Sequence, residues 1–402
     1  SRPAAALSAP AAILGTMTSS SEQAGGGRVP GPTARARAWA TTMSGHEHEV
    51  DGDGVVRPHA DSHLRIGRGE PIGRLAREEL EAATLREGAT RSHGAGDRAR
   101  PEAPDTERTC FERDHDRIVH STSFRRLAGK TQVVVYPTDH QRTRLTHAIE
   151  VAQVAGSIAR GIGANVALTD AIALGHDCGH GPGGHASEEA FDVFLPEGFD
   201  HGPWGARVAL AGLNLCAETL DGIARHSWSS PAPSTVEGEI VSWADRIAYC
   251  AHDLEDALRA GIVDPGDVPG RIVDVIGLPL REQLSALIRA VVDTTCRTGV
   301  VGMDARTAGA LAVLRRFNYE QIYTRPESLA QSHTMIEVLQ QLVSYYFHHP
   351  DDLPAEHCDR DDPMRSAVTY VAGMTDRFAF DCAEHLLGWE PARLPRGIGH
   401  GA

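Results

Sequence analysis

From about Glu107 onward, apolar residues recur at helical spacing, and this period restricts the fold more than any other feature of the chain. It runs through residues 111–127, 145–162, 168–176, 187–195, 210–223 and 236–260, then 280–292, 305–317, 327–347 and 362–387. Pro279 suits the start of the helix over 280–292, and Gly261 suits a C-terminal cap after the alanine-rich end of 236–260. Val133-Val134-Val135-Tyr136-Pro137 is short and β-branched, as in a hairpin strand or an extended loop. No alternation of strands with helices and no repeat period accompanies these segments. The pattern predicts an all-α fold.

The first hundred residues differ. Residues 1–45 are rich in Ala, Gly, Ser, Pro and Thr and nearly devoid of large apolar side chains, so they cannot bury enough surface to offset chain entropy. Residues 4–14 faintly imitate the apolar part of a signal peptide, but Pro10 interrupts them. Because the chain begins with Ser1, a start lying upstream, or at Met17 or Met43, is expected. Residues 46–105 stay charged and glycine-rich, with room for a short helix over 71–87 and no core.

Charge and cysteine usage narrow the function classes. Lys plus Arg total 39 against 54 Asp plus Glu, a net charge of −15 that disfavours general coating of DNA or an anionic membrane. No apolar run is long enough to cross a bilayer. Seven scattered cysteines with no CxxC spacing argue against a disulfide scaffold and point to a reducing, cytoplasmic setting. Lys130 is the single lysine, and Gly129-Lys130-Thr131 resembles the tail of a phosphate-binding P-loop. Phe124 stands where the leading glycine belongs and a strand-like run follows, so a P-loop is rejected.

Residues 171–190 hold the densest chemistry, with His176, Asp177, His180, His185 and Glu188 separated by glycines. The apolar run 171–174 makes the approach a buried helix, which puts the adjacent His176 and Asp177 near the interior. Burying an imidazole with a carboxylate is costly unless a cation compensates. A satisfied core histidine beside a helix-ending aspartate would explain a lone pair; five polar groups in one tight loop favour a site. His147 belongs to an otherwise apolar helical face and by itself reads as an ordinary half-buried histidine. Asp245 sits in the apolar stretch 240–249, where an aspartate calls for a cation. Two imidazoles and two carboxylates would neutralise one divalent ion and leave positions for water and a phosphate oxygen.

The ordered set His147, His176-Asp177 and Asp245 resembles the H…HD…D signature of HD-domain metal-dependent phosphohydrolases. The closer likeness is to deoxynucleoside triphosphate triphosphohydrolases, the dGTPase-like family. It rests on residues 111–118 with Ser123-Phe124-Arg125-Arg126-Leu127 and Lys130-Thr131-Gln132, on Arg144-Leu145-Thr146-His147, on 176–188 and on 245–256, with a weaker echo at 370–378. The resemblance implies an HD-domain helical bundle over 106–262 and a C-terminal helical region over 263–402; composition makes 1–105 a poorly structured arm. It implies hydrolysis of a dNTP to deoxynucleoside and inorganic triphosphate, with one divalent ion, Mn²⁺ or Mg²⁺, on His147, His176, Asp177 and Asp245. His185 with Glu188 matches the family's catalytic pair, with His180 beside it. Arg144, His201, Tyr249, Lys130 and Gln132 are the expected substrate contacts, with Arg246 and Asp253 weaker candidates. Arg125 and Arg126 suit the carboxylates of Asp114 or Asp116 as well as they suit phosphate. A homo-oligomer, such as a hexamer, and an activating nucleotide are further implications, with nucleic acid at most a secondary partner.

The chain departs from the family after His201, where Gly202-Pro203-Trp204 replaces an expected asparagine, and at Arg246 beside Asp245. Neither change touches the metal set, and neither supports a preference for guanine. The alternatives are another HD phosphohydrolase, such as a 5′-nucleotidase, a phosphodiesterase or an alarmone hydrolase, and a non-catalytic nucleotide- or nucleic-acid-binding protein. His185, His201 and His226 could supply ligands to a second ion.

Overall fold

The computed structural model describes residues 31–44, 55, 59, 62–133 and 141–395. It falls into two compact units, residues 1–70 and 71–402. In the first unit the described residues form one helix, α1 (Ala34–Ser44), whose side chains over 34–40 are exposed. Residues 4–14, Met17 and the stretch 134–137 of the β-branched run lie outside the described residues.

The second unit is helical throughout. It begins with α2 (Arg74–Thr84), α3 (Cys110–Val119), α4 (Thr122–Arg126), α5 (Arg144–Ile162), α6 (Val166–Gly175), α7 (His185–Asp192), α8 (His201–Trp204), α9 (Ala217–Arg225) and α10 (Val236–Arg259). There follow α11 (Gly270–Ile276), α12 (Leu280–Thr298), α13 (Ala305–Asn318), α14 (Pro326–His348), α15 (Pro363–Ala372) and α16 (Asp376–Leu387). Among the described residues β pairing is limited to two isolated bridges, Arg98 with Cys216 and Thr131 with Thr143. The expected all-α fold holds. None of the described helices is long and apolar enough to cross a membrane.

Three expected helices are broken by local side-chain chemistry. Residues 111–127 split at Ser121, whose hydroxyl accepts the Phe124 N–H and starts α4. Residues 362–387 split at Thr375, which caps α16 by accepting the Phe378 N–H. The helix expected over 210–223 begins only at Ala217, because Asn214 takes a left-handed turn at φ 53°. Gly261 holds φ +67° directly after α10, the backbone a helix C-terminus favours.

Two apolar cores sit side by side. One joins α3, α5, α6 and α9–α13 around Val151, Ile158, Ile172 and Ile247; the other joins α7, α8 and α14–α16 around Phe191, Leu339 and Val368. The metal-type residues of α5 and α10 come from the first, and the His185 helix from the second.

Residues 71–105 are more ordered than the sequence suggests. Buried Glu237 accepts from Thr90 N and Oγ1 and from Asn165 N, so an acid on α10 clasps this segment. Arg98, its side chain 6% exposed, reaches fully buried Asp114 at 2.6 Å. Asp114 also accepts from Cys216 N and Thr219 Oγ1. Ion pairs across long sequence separations carry no period, which is why hydropathy misses this segment. Arg98→Ala strands a buried carboxylate and is expected to cost roughly 3–5 kcal/mol in urea unfolding. Arg77→Ala, which breaks an exposed pair with Glu112, should cost less than about 1 kcal/mol.

Candidate metal centre and catalytic cavity

Helix α6 is apolar around its circumference and buried from Leu168 to Gly175, apart from Asp170. A Cβ on Gly175 would lie 2.5 Å from Ile223 Cδ1, so the glycine lets α6 close on α9. The next two residues, His176 and Asp177, therefore emerge inside the protein. His176 Nδ1 donates to Ala173 O at 2.6 Å, which leaves the lone pair on Nε2. That Nε2 is buried without a hydrogen-bond partner. It faces Asp177 Oδ1 at 3.4 Å and Asp245 Oδ1 at 3.7 Å. Asp245 Oδ1 also lies 3.1 Å from His147 Nε2, so α5, α6 and α10 meet at one point.

Burial alone would raise the pKa of both carboxyls. For Asp177 the electrostatic influence of His176, Arg144 and His180 outweighs burial; for Asp245 the His147 hydrogen bond and the neighbouring His176 do so. Both are held well below the usual carboxylate range. Two ionised carboxylates, Asp177 buried and Asp245 half-buried, around an orphaned imidazole nitrogen fit a divalent cation, and the His176–carbonyl bond is the outer contact that fixes a ligating ring. Ligand atoms of His147, His176 and Asp245 lie within 4.8 Å of one another.

Arg144 starts α5 and is buried. Its Nη1 donates to Asp177 Oδ2 at 2.8 Å, while Nε and Nη2 are buried without partners. Gly184, at φ +63°, allows this approach, since a Cβ there would stand 2.4 Å from Arg144 Nη2. Two guanidinium donors beside the Asp177 carboxylate are thus without a hydrogen-bond partner.

Glu188 on α7 joins two imidazoles. It accepts from His185 Nδ1 at 3.0 Å and from His201 Nδ1 at 2.6 Å. The bond fixes the proton of His185 on Nδ1 and leaves Nε2 as the basic nitrogen, on a ring 73% exposed. His226 Nδ1 donates to Ile223 O, so its Nε2 accepts from His201 Nε2 at 3.0 Å. His201 then donates from both nitrogens and is an imidazolium: burial would lower its pKa, but Glu188 raises it. His180 stacks on His201 at 3.7 Å between ring centroids and lies 3.3 Å from Asp177 Oδ1.

These groups surround a cavity of about 500 Å³. Asp245, Tyr249 and Asp253 share one face of α10 along its wall, spaced at roughly 6 Å per four residues, so the wall runs about 12 Å. Tyr249 accepts from Arg315 Nε at 3.0 Å. Asp253, at the far end, accepts from the Tyr323 hydroxyl, and burial pushes its carboxyl up to about 7. At the metal end, the Arg246 guanidinium lies 3.4 Å from the centre of the Trp228 ring.

Residues 144–250 match the HD domain family and residues 301–385 match the phosphohydrolase-associated domain. A Caldanaerobacter subterraneus protein named deoxyguanosinetriphosphate triphosphohydrolase-like protein is 39% identical over 312 residues, covering 75% of this chain and 92% of its own. Proteins of the same name from Clostridium perfringens (38% identity; 75% of this chain, 93% of theirs) and Rhodopseudomonas palustris (33%; 72% and 93%) are also similar. The chain belongs to this HD-domain phosphohydrolase family.

Most of the residues expected to form the phosphohydrolase site meet around its cavity. His147, Asp177, Asp245, Arg144, His180, His185, His201, Tyr249 and Gln132 line it, while His176 and Glu188 stand directly behind. Lys130 does not line the cavity. Its buried ammonium donates to Ala372 O at 3.0 Å and to His180 O, bracing the glycine loop from its reverse side, and burial lowers its pKa to about 8. Both nitrogens of His201 are engaged, by Glu188 and His226, so the ring adds charge to the cavity wall instead of a free donor. Tyr323, Arg315 and Trp228 escape a sequence reading. Tyr323 ends a wide turn, Tyr319–Tyr323, in which Thr324 N donates to Tyr319 O, and the turn's register obeys no helical period.

Proposed function

We propose that this phosphohydrolase cleaves a deoxynucleoside triphosphate into a deoxynucleoside and inorganic triphosphate. The observation that carries it is buried Arg144, a cavity-lining residue with two unpartnered guanidinium donors beside Asp177. Such a group suits the α-phosphate at the metal end, while the cavity continues along α10 to a hydroxyl-binding end at Asp253 and Tyr323. His147, His176, Asp177 and Asp245 would hold one divalent ion, Mn²⁺ or Mg²⁺, which supplies Lewis-acid polarisation and a more acidic water.

Water adds to the α-phosphorus as the bond to the 5′-oxygen breaks. The water's proton goes to His185 Nε2 and an equivalent proton reaches the departing 5′-oxygen, so the deoxynucleoside leaves neutral. Glu188 keeps His185 in the tautomer this needs. Arg144 and the His201 imidazolium offset the phosphate charge.

A product assay tests the proposal. The four dNTPs, singly and mixed, are incubated with Mn²⁺-loaded protein, and products are separated. Triphosphate with free deoxynucleoside is expected; orthophosphate alone, or action on monophosphates only, would establish a nucleotidase instead.

Asp253 is the expected contact to the sugar 3′-hydroxyl. Losing a hydrogen bond to a charged or half-charged partner costs about 1.5–3 kcal/mol, so Asp253→Ala should lower kcat/KM roughly 10- to 100-fold. The wild type should also reject a 2′,3′-dideoxy triphosphate, and the variant should not; equal rejection by both removes Asp253 from sugar recognition.

A further inference from the structure

Behind the glycine loop, on the side away from the catalytic cavity, lies a second cavity of about 140 Å³. Its volume gives room for a phosphate group. Arg126, Lys130 and His357 line it together with the Thr369 hydroxyl, and no acidic side chain does so among the described residues. The guanidinium of Arg126 has no carboxylate within ion-pairing distance among those residues. The two acids that sequence proximity offers it are spent elsewhere, Asp114 on Arg98 and Asp116 on Arg108. Lys130, 3% exposed, is satisfied only by main-chain carbonyls. Asp376, the carboxylate nearest in charge to Lys130, accepts from Thr131 and Gly183; Glu356, beside His357, is exposed.

Two cationic side chains, Arg126 and Lys130, converge with the His357 imidazole on one small cavity that has no acid in its wall among the described residues, and an anion there would offset their repulsion. The Arg126 fork leans on Gly373, where a Cβ would come within 3.1 Å of Nη1, so a glycine on the far wall leaves space for it. We infer that this cavity is a second phosphate-binding site, taking either free inorganic phosphate or the terminal phosphate of a nucleotide whose base stays outside. Cys178 and Gly179 form part of its wall, and Lys130 holds the His180 carbonyl, so its occupant shares a loop with Asp177 and His180. The site does not depend on the triphosphohydrolase proposal, because phosphate binding is read without turnover.

The test is calorimetric titration of inorganic phosphate into the metal-free full chain and into Arg126→Gln and His357→Gln. Both positions lie at the edge of the cavity, and matching circular dichroism would show that the variants fold. Charge-assisted bonds of about 1.5–3 kcal/mol predict at least a roughly tenfold loss of affinity in Arg126→Gln and a smaller loss in His357→Gln. Repeating the titration with a deoxynucleoside monophosphate separates the sources. Tighter binding that still needs Arg126 identifies a nucleotide, whereas an Arg126-dependent site for free phosphate alone identifies the ion. Unchanged affinity in both variants, or no binding by the wild type at millimolar phosphate, overturns the inference.

Discussion

Asp177→Ala should abolish turnover and metal content together. The carboxylate faces His176 Nε2 through one oxygen and anchors Arg144 through the other. Its loss leaves an orphaned imidazole and an unpaired buried guanidinium. Several kcal/mol of charge stabilisation, at about 1.4 kcal/mol per decade, amount to roughly 10⁴-fold in kcat/KM. Elemental analysis of the purified variant should find the divalent ion missing, and initial rates with any dNTP should fall to background. Normal turnover from protein lacking Asp177 would mean that the cluster is structural. Arg144 would also lose its partner, so the variant should melt earlier, and Asp177→Asn, which keeps a neutral acceptor, should melt closer to the wild type while remaining inactive.

His185→Ala should separate chemistry from metal binding. The ring lies outside the His147–His176–Asp245 cluster, in a separate group with His180, Glu188 and His201, is largely exposed and is oriented by Glu188 alone among the described side-chain hydrogen-bond partners. Losing a positioned proton-transfer group costs about 10²–10⁴-fold in kcat, with metal content and melting temperature unchanged. Glu188→Gln should give a smaller loss of kcat together with a displaced pH profile, because the amide still touches His185 but no longer fixes its tautomer by charge. Wild-type kcat in His185→Ala would transfer the proton-handling role elsewhere, with His180 the nearest imidazole at 5.0 Å between rings.

The chemistry was legible where burial and charge conflict within a few residues. His176-Asp177 after an apolar helix, and Asp245 inside another, call for a cation, and the fold gathers His147, His176 and Asp245, with Asp177 Oδ1 3.4 Å from His176 Nε2. The long helices α5, α10, α12 and α14 were equally readable, because each keeps an apolar stripe over several turns. Three kinds of feature were not. Caps such as Ser121 and Thr375 end helices inside an unbroken apolar pattern, by hydrogen bonds that hydropathy does not weigh. The segment 71–105 is held by Arg98–Asp114 and Thr90–Glu237, polar contacts between residues far apart in sequence. Lys130 stands two residues from Gln132 in a stretch that resembles substrate-binding sequence, yet its ammonium goes to the carbonyls behind the loop. Direction of a side chain near a bend depends on backbone that only the fold supplies. Tyr323 and Trp228 illustrate the same point from the other side, being cavity residues delivered by turns.

Hydrolysis of a dNTP in oxygen-18 water tests the central claim most directly. Water attacking the α-phosphorus places one label in the inorganic triphosphate and none in the deoxynucleoside, whose 5′-oxygen was present from the start. Mass spectrometry of both products should find that distribution. Label in orthophosphate or pyrophosphate, or in the 5′-hydroxyl of the deoxynucleoside, would contradict attack at the α-phosphorus.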